Sequence, residues 1–446
     1  MESADSVIRL VGQGLYMAVA AVAGLALARV LRTDNTLGCL LAGVLAGMLL
    51  PVMDFDTGLR TQNLQALVFF VILPVLIFEA AWQIEPAILK RWLGPVLLFS
   101  TIGVALSAIL IGLLTYYGSD YHRGIPWIAA LLTGVILAAT DPVSVVCKLR
   151  AEAAGEDLIT LVEGESLFND AAAILLYSLT LGVALQLVLA GGAGSGEAPG
   201  VGAVTVFFLA TFFGGVAVGL LCGLVTAIAV LLLRSAGAAL LVLLLAAFGS
   251  FYLAEHVVHV SGILSVITCA IVARICLREQ QSSFLVHAAP TWQWLSLIFS
   301  ALIFVIMGLL ITWEMFTQLW LAMIVAIAAA VGARALTIFM LAPLARFIGP
   351  PIPKEWRLVM GWGGLRGVVA VALALSLPTE LPYWWTIQSM VFGVVLFSLL
   401  VQGTTCSWLL GKPRLNGGNL NGGNVSGGNV SGGNVSGGKG PADSRE

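Results

Sequence analysis

The stretch AATDPVSVV, residues 138–146, interrupts an apolar run that extends over residues 126–148. Pro142 has no backbone N–H and its ring clashes with the preceding turn, so carbonyls near residue 138 lose their helical partners and the helix opens. At membrane depth such a break is tolerated only where it is buried in protein or lines a wet cavity. The sequence therefore predicts a broken membrane helix with Thr140 and Asp141 at its opening. A carboxylate beside freed carbonyl oxygens has the chemistry of a hard-cation site.

The composition around this stretch supports the membrane reading. Of 446 residues, 59% are hydrophobic and only 10% charged, against roughly 25% charged in a soluble domain. The net charge of -2 and the lack of a run of like charges exclude nucleic acid as a partner. Six cysteines (Cys39, Cys147, Cys222, Cys269, Cys276, Cys406) are scattered singly, which argues against a disulfide framework or a zinc site. The opening MESADSVIRL lacks a basic n-region and a cleavage site, so the first apolar segment reads as a retained helix.

Thirteen segments approach the length of about 20 apolar residues that a spanning helix needs: 10–31, 36–53, 64–84, 93–117, 126–148, 159–189, 201–233, 239–258, 260–277, 292–312, 318–344, 356–378 and 384–410. The runs are too long and continuous for barrel strands, which leaves an all-α polytopic membrane protein. Counting Lys and Arg on alternate sides gives 16 on one side against Arg9, Arg60 and Arg123 on the other, with Arg334 and Arg366 inside segments. By the positive-inside rule this places the N-terminus outside and the C-terminus in the cytoplasm. The stretch around 190–202, AGGAGSGEAPGVG, reads as a flexible outside loop. Residues 413–446 form a glycine/asparagine-rich tail with almost nothing to bury, expected to be disordered in the cytoplasm, where its N-x-S triplets at Asn424, Asn429 and Asn434 would escape glycosylation.

Charges inside spanning segments need a partner or a wet cavity and mark functional sites. Here they are Glu79, Asp141, Glu163, Glu165, Asp170, Arg334 and Arg366. Four of them, Asp141, Asp170, Arg334 and Arg366, fall at one depth near the midplane, while Glu79 and Glu163 lie toward the cytoplasmic mouth. Segment six carries EGESLFNDA, residues 163–171. At 100° per residue Glu163, Ser166 and Asp170 share one face, whereas Glu165 with Asn169 is displaced from Asp170 by about 140°. That separation predicts that Asp170 with Ser166 faces an ion path and that a buried arginine holds Glu165. The competing reading makes all of them paired structural charges. Segment twelve, GWGGLRGVVAV, crowds Gly361, Gly363, Gly364 and Gly367 around Arg366. Glycine weakens a helix, so this segment too reads as interrupted, unless the glycines serve close helix packing. An interrupted segment in each half of the chain points to a transporter binding site. The EHVVH string, Glu255 to His259, has the wrong order for a zinc motif, and the chain has no GxSxG or Walker lysine.

TDPVSVV, EGESLFNDA and GGLRGVVAVALALSLP, in this order, resemble the cation/proton antiporters of the NhaP and sodium/proton exchanger type, over about residues 10–410. The resemblance implies inverted repeats, two broken helices that cross, a homodimer in a bacterial-type plasma membrane, and no cofactor. It implies a membrane antiporter domain over 1–412, with its core in segments 93–189 and 318–410 and the remaining helices as dimerisation scaffold. By the same resemblance Asp170 is the aspartate that binds Na⁺ or H⁺, with Asn169 beside it. Thr140, Asp141 and Ser166 match further ligands, and Glu79 an acid on the cytoplasmic side. Glu165 matches an acid paired with an arginine, here Arg334, and Arg366 the arginine of the glycine-rich crossing next to the Pro142 break. The expected activity is electroneutral exchange of one Na⁺, or Li⁺, for one H⁺. K⁺/H⁺ exchange, and a channel or a non-transporting cation sensor on the same fold, stand as alternatives.

Overall fold

The computed structural model describes residues 2–53, 67–119, 125–152, 154–189, 201–277 and 288–410. The tail 413–446 and most of the loop at 190–202 lie outside the described residues. Within them the chain is helical, as its apolar runs require, because only internal hydrogen bonding satisfies backbone groups in hydrocarbon. In the first half, α1 (Glu2–Leu31) and α2 (Asn35–Met53) are followed by α3 (Leu73–Gln83). Next, α4 (Pro86–Leu98) runs into α5 (Val104–Gly118), and the broken fifth segment forms α6 (Trp127–Ala138) and α7 (Val143–Ala151). The sixth segment is one long helix, α8 (Glu156–Leu189). The second half comprises α9 (Val201–Leu233), α10 (Ala236–Tyr252), α11 (Gly262–Leu277), α12 (Ala288–Leu310) and α13 (Trp313–Ala345). It closes with α14 (Lys354–Trp362), α15 (Val368–Leu375), α16 (Trp384–Phe397) and α17 (Gly403–Leu410).

Among the described residues each expected segment carries helix, with shifted ends. Helix α1 begins at Glu2 and α4 at Pro86, several residues before their apolar runs, because a helix continues into the headgroup region where polar side chains are solvated. Eight helical stretches among the described residues are long and apolar enough to cross a membrane, and four shorter apolar helices accompany them. Exposed Leu15, Val19, Val22, Leu221, Val225, Leu241 and Leu245 give the outside of the bundle the apolar surface that lipid requires. The protein is a multi-pass integral membrane protein.

Two features escape a hydropathy reading. Wide π-helical turns interrupt the helices at Val68–Ile72, Phe99–Gly103, Leu253–Val258 and Ser398–Gln402. Helix α13 is kinked at Leu319, whose φ of -119° and ψ of 17° are non-helical. The packing is close where side chains are small. Gly215, Gly219 and Gly223 recur once per turn of α9, and a Cβ on each would stand 2.4 to 2.8 Å from the α11-side carbonyls of Ser261, Ser265 and Cys269. That is the small-residue contact by which membrane helices approach in the absence of a hydrophobic drive.

The breaks in the fifth and twelfth segments lie against each other. Asp141 N–H donates to the Leu365 carbonyl at 2.8 Å, an antiparallel bridge between two otherwise helical segments. Four half-helices therefore end or begin around one buried point, flanked by α8 and α13.

Candidate functional site

Each end of a broken helix exposes unpaired backbone groups and a partial charge, and the charged residues answer these ends one by one. The carboxylate of Asp141 accepts the N–H of Val143, first residue of α7, at 3.0 Å and that of Val368, first residue of α15, at 3.4 Å. One acid thus meets the positive ends of two half-helices. Arg366, 2% exposed, donates to the Ala138 and Ala139 carbonyls at the C-terminal end of α6, at 3.2 and 3.0 Å, and to Ala330 of α13 at 3.4 Å. Arg334 Nε reaches the Met360 carbonyl near the end of α14 at 3.3 Å. Anion at the N-termini and cation at the C-termini is the arrangement the peptide dipoles favour.

The carbonyls that Pro142 frees near residue 138 accept hydrogen bonds from the Arg366 guanidinium. The Thr140 carbonyl is occupied as well, by the Ser166 hydroxyl. Glycine makes the arrangement possible: a Cβ on Gly367 would stand 2.0 Å from Asp141 Oδ2, and one on Gly364 2.7 Å from Arg334 Nε. Any side chain at 367 would displace the Asp141 carboxylate.

Helix α8 brings its polar residues to the crossing. Glu165, 2% exposed, takes a two-pronged bond from Arg334 at 2.7 and 2.8 Å. Asn169 donates its amide to Thr140 Oγ1 at 3.0 Å and to Glu165 Oε1 at 3.4 Å. Its own oxygen Oδ1, and Oδ1 of the adjacent Asp170, are buried without a hydrogen-bond donor among the described residues. Asp170 as a residue is half-buried, so its surroundings are not closed. Buried acceptors without donors cost free energy and call for an explanation; an unpaired oxygen on the acid Asp170 is a spot that would welcome a positive charge.

The remaining sequence candidates lie away from that spot. Glu163 pairs with Arg150 of α7 at 2.9 Å, and Glu79 on α3 accepts from the Gln83 amide. Glu255 caps α11 through the Gly262 N–H at 3.0 Å, and His256 stacks on Tyr252 with ring centroids 5.0 Å apart, so the EHVVH string has a structural use. Several contacts have no sequence motif. Tyr177, two turns beyond Asp170 on α8, shares a 2.9 Å hydrogen bond with Ser376 at the end of α15, and both residues are buried. Lys148 of α7 donates to the Gly403 carbonyl, and Gln402 donates to the Trp362 carbonyl at 3.3 Å, tying the last helix to both half-helices. The heptad spacing of Tyr177 from Asp170 is the one signal that could have singled it out.

A pair of crossed, interrupted helices with an unpaired carboxylate beside them is the architecture of a secondary transporter. The family model described as "Sodium/hydrogen exchanger, transmembrane" matches residues 17–412, and the chain belongs to that family. It is 34% identical over 382 residues to the Na⁺/H⁺ antiporter ApNhaP of Aphanothece halophytica, covering 84% of this chain and 69% of the relative. It is 29% identical over 412 residues to the Na⁺/H⁺ antiporter NhaH of Halobacillus aidingensis, covering 90% and 97%. Among solved structures, the sodium proton antiporter MjNhaP1 of Methanocaldococcus jannaschii shares the fold, with a TM-score of 0.72 at 22% identity over 91% of this chain and 99% of that one.

Proposed function

We propose that this protein exchanges Na⁺ for H⁺ across a plasma membrane, one for one, with Asp170 as the group that carries either ion. The observation that bears most weight is the buried Oδ1 of Asp170, which has no hydrogen-bond donor among the described residues. A proton or a Na⁺ ion supplies what this oxygen lacks. Thr140, Asn169 and Ser166 hold the backbone at the break, and Asp141 shapes the positive ends around it.

Charge accounting supports the stoichiometry. At the crossing Glu165 is balanced by Arg334, and the Asp141 carboxylate and the Arg366 guanidinium are each spent on helix ends and offset one another. Asp170 is the remaining charge, and Na⁺ and H⁺ neutralise it equally, so the loaded carrier crosses with the same charge in both directions. The transport domain spans 1–412 with thirteen membrane segments, the N-terminus outside and the C-terminus inside. Segments 93–189 and 318–410 form its moving core, and the other helices a homodimer scaffold. Glu79 and Glu163 stand on the cytoplasmic approach to the site.

The test is dissipation of an imposed pH gradient in proteoliposomes by Na⁺, Li⁺, K⁺ and Ca²⁺ in turn, with and without a clamped membrane potential. Na⁺-driven proton flux insensitive to the potential is expected. Flux that follows the potential would overturn the one-for-one scheme, and cation flux without counter-movement of protons would make the protein a channel.

A further inference from the structure

We propose that the corner where the start of α4 meets the link between α13 and α14 binds the headgroup of an anionic phospholipid. The proposal rests on the protein being an integral membrane protein and not on its exchange activity.

Three segments converge there. A Cβ on Gly94 would stand 2.3 Å from the Ile348 carbonyl, and one on Gly349 2.5 Å from Pro95, so α4 and the α13–α14 link touch backbone to backbone. Trp92 and Trp356, with ring centroids 5.6 Å apart, bring the first turn of α14 to the same place. Each segment contributes an exposed cation at a helix end: Lys90 from α4, Arg346 from the end of α13 and Lys354 from the start of α14. Helix ends are where a spanning helix meets headgroups, and each basic residue near an anionic surface there attracts it.

These cations differ from their neighbours. Arg91, Arg150 and Arg274 are paired with Asp157, Glu163 and Glu85, whereas Lys90, Arg346 and Lys354 form no ion pair among the described residues. One exposed acid, Glu355, follows Lys354 directly and makes no ion pair with it. No described acid answers these charges, which leaves them open to an anion from outside. Its character follows from the apolar side chains between them. Phe347 is 75% exposed with the Arg346 guanidinium 4.7 Å from its ring centroid, and Ile348 and Leu344 are 52% and 51% exposed. An inorganic anion would use the cations and leave these groups idle. A phospholipid places phosphate among the cations and acyl chains along Phe347, Ile348 and Leu344. Lipid seated there would hold Lys354, the first residue of the half-helix whose other end meets Arg334.

The test is native mass spectrometry of the delipidated full chain in detergent, titrated with phosphatidylglycerol and with phosphatidylcholine of the same acyl chains. Preferential retention of phosphatidylglycerol is expected. It should weaken about fivefold in Arg346→Gln and on the order of a hundredfold in Lys90→Gln/Arg346→Gln/Lys354→Gln, from the attraction per basic residue. A control variant with Arg29, Arg32 and Arg234 changed to Gln should retain it. Equal retention of both lipids by the unaltered protein would overturn the proposal, as would an undiminished preference in a monodisperse Arg346→Gln variant or an equal loss in the control. Displacement of the lipid by glycerol phosphate at matching concentration would overturn the lipid assignment in favour of a free phosphate site.

Discussion

Glu165 and Asp170 are both carboxylates in the middle of α8, little more than one turn apart, and the structure treats them in opposite ways. Glu165 is enclosed, with each oxygen on a different Arg334 nitrogen and Asn169 adding a third donor. Asp170 keeps a buried oxygen with no donor among the described residues. The two sit on faces separated by about 140° at 100° per residue, so one turns to the arginine of α13 and the other away from it. A charge that is fully paired is fixed to its surroundings; one that lacks a partner is free to exchange one. On the proposed reading the first role is architectural and the second is transport, and a helix of unchanged regularity hosts both.

The sharpest way to break this comparison is to neutralise each acid in turn. Asp170→Asn is expected to abolish Na⁺-driven proton flux in proteoliposomes while the purified protein keeps its oligomeric state and thermal midpoint, since nothing in the protein is left without a partner. Retained flux would remove Asp170 from the mechanism. Glu165→Gln should do the converse. It leaves the Arg334 guanidinium buried without its counter-charge, which costs about 3–5 kcal/mol for a broken buried pair. A lowered thermal midpoint and poor recovery from the membrane are expected, with partial repair when Arg334→Met is added. A variant as stable as the parent would show that the pair is dispensable.

Much of this contrast was legible in the letters. Helical phase alone separates Glu165 from Asp170, and Pro142 announces a break because it removes a donor and clashes with its own turn. The glycines around Arg366 announced the second break. The destination of the freed carbonyls was not legible. Whether Ala138 and Ala139 offer oxygens to a cation or to Arg366 depends on how two segments more than two hundred residues apart cross, and backbone groups carry no identity in sequence. For the same reason nothing in TDPVSVV foretold that Asp141 would cap two helices, one of them from the far end of the chain. The π-turns at 99–103 and 398–402 have no residue signature either, since register slips of one residue are decided by packing.

Gly367 tests how firmly the architectural side constrains the transport side. A methyl at this position would come within 2.0 Å of Asp141 Oδ2, so Gly367→Ala should swing the carboxylate from the Val368 N–H and widen the crossing. A loss of turnover of roughly tenfold to a hundredfold is expected, the range for a misplaced positioning group, with the protein still folded. A smaller and reversible change comes from pH. If protons and Na⁺ compete for Asp170, acidification fills the site with protons, and the apparent KM for Na⁺ rises by up to about tenfold per unit of falling pH through simple mass action. The maximal flux at saturating Na⁺ should hold. A KM independent of pH would mean that the two ions bind at different groups.

The mildest change in rate is expected at Asn169, and it is the most informative about mechanism. Its amide holds Thr140 and Glu165 at 3.0 and 3.4 Å, while its oxygen, like Oδ1 of the next residue Asp170, is buried without a donor among the described residues. Asn169→Asp keeps the size of the side chain and replaces a neutral amide by a second titratable carboxylate. Two acids so close repel, which favours binding of a proton by one of them. The loaded site would then take up a further positive charge on one limb of the cycle, and exchange would acquire a dependence on membrane potential that the proposed one-for-one cycle of the parent would not have. Flux in voltage-clamped proteoliposomes would read this directly: a few-fold loss of rate with a new sensitivity to potential places Asn169 at the site, next to the working acid. A variant that slows without any response to potential would assign Asn169 to the same architectural role as Glu165, and the boundary between the two regions of α8 would then fall between residues 169 and 170.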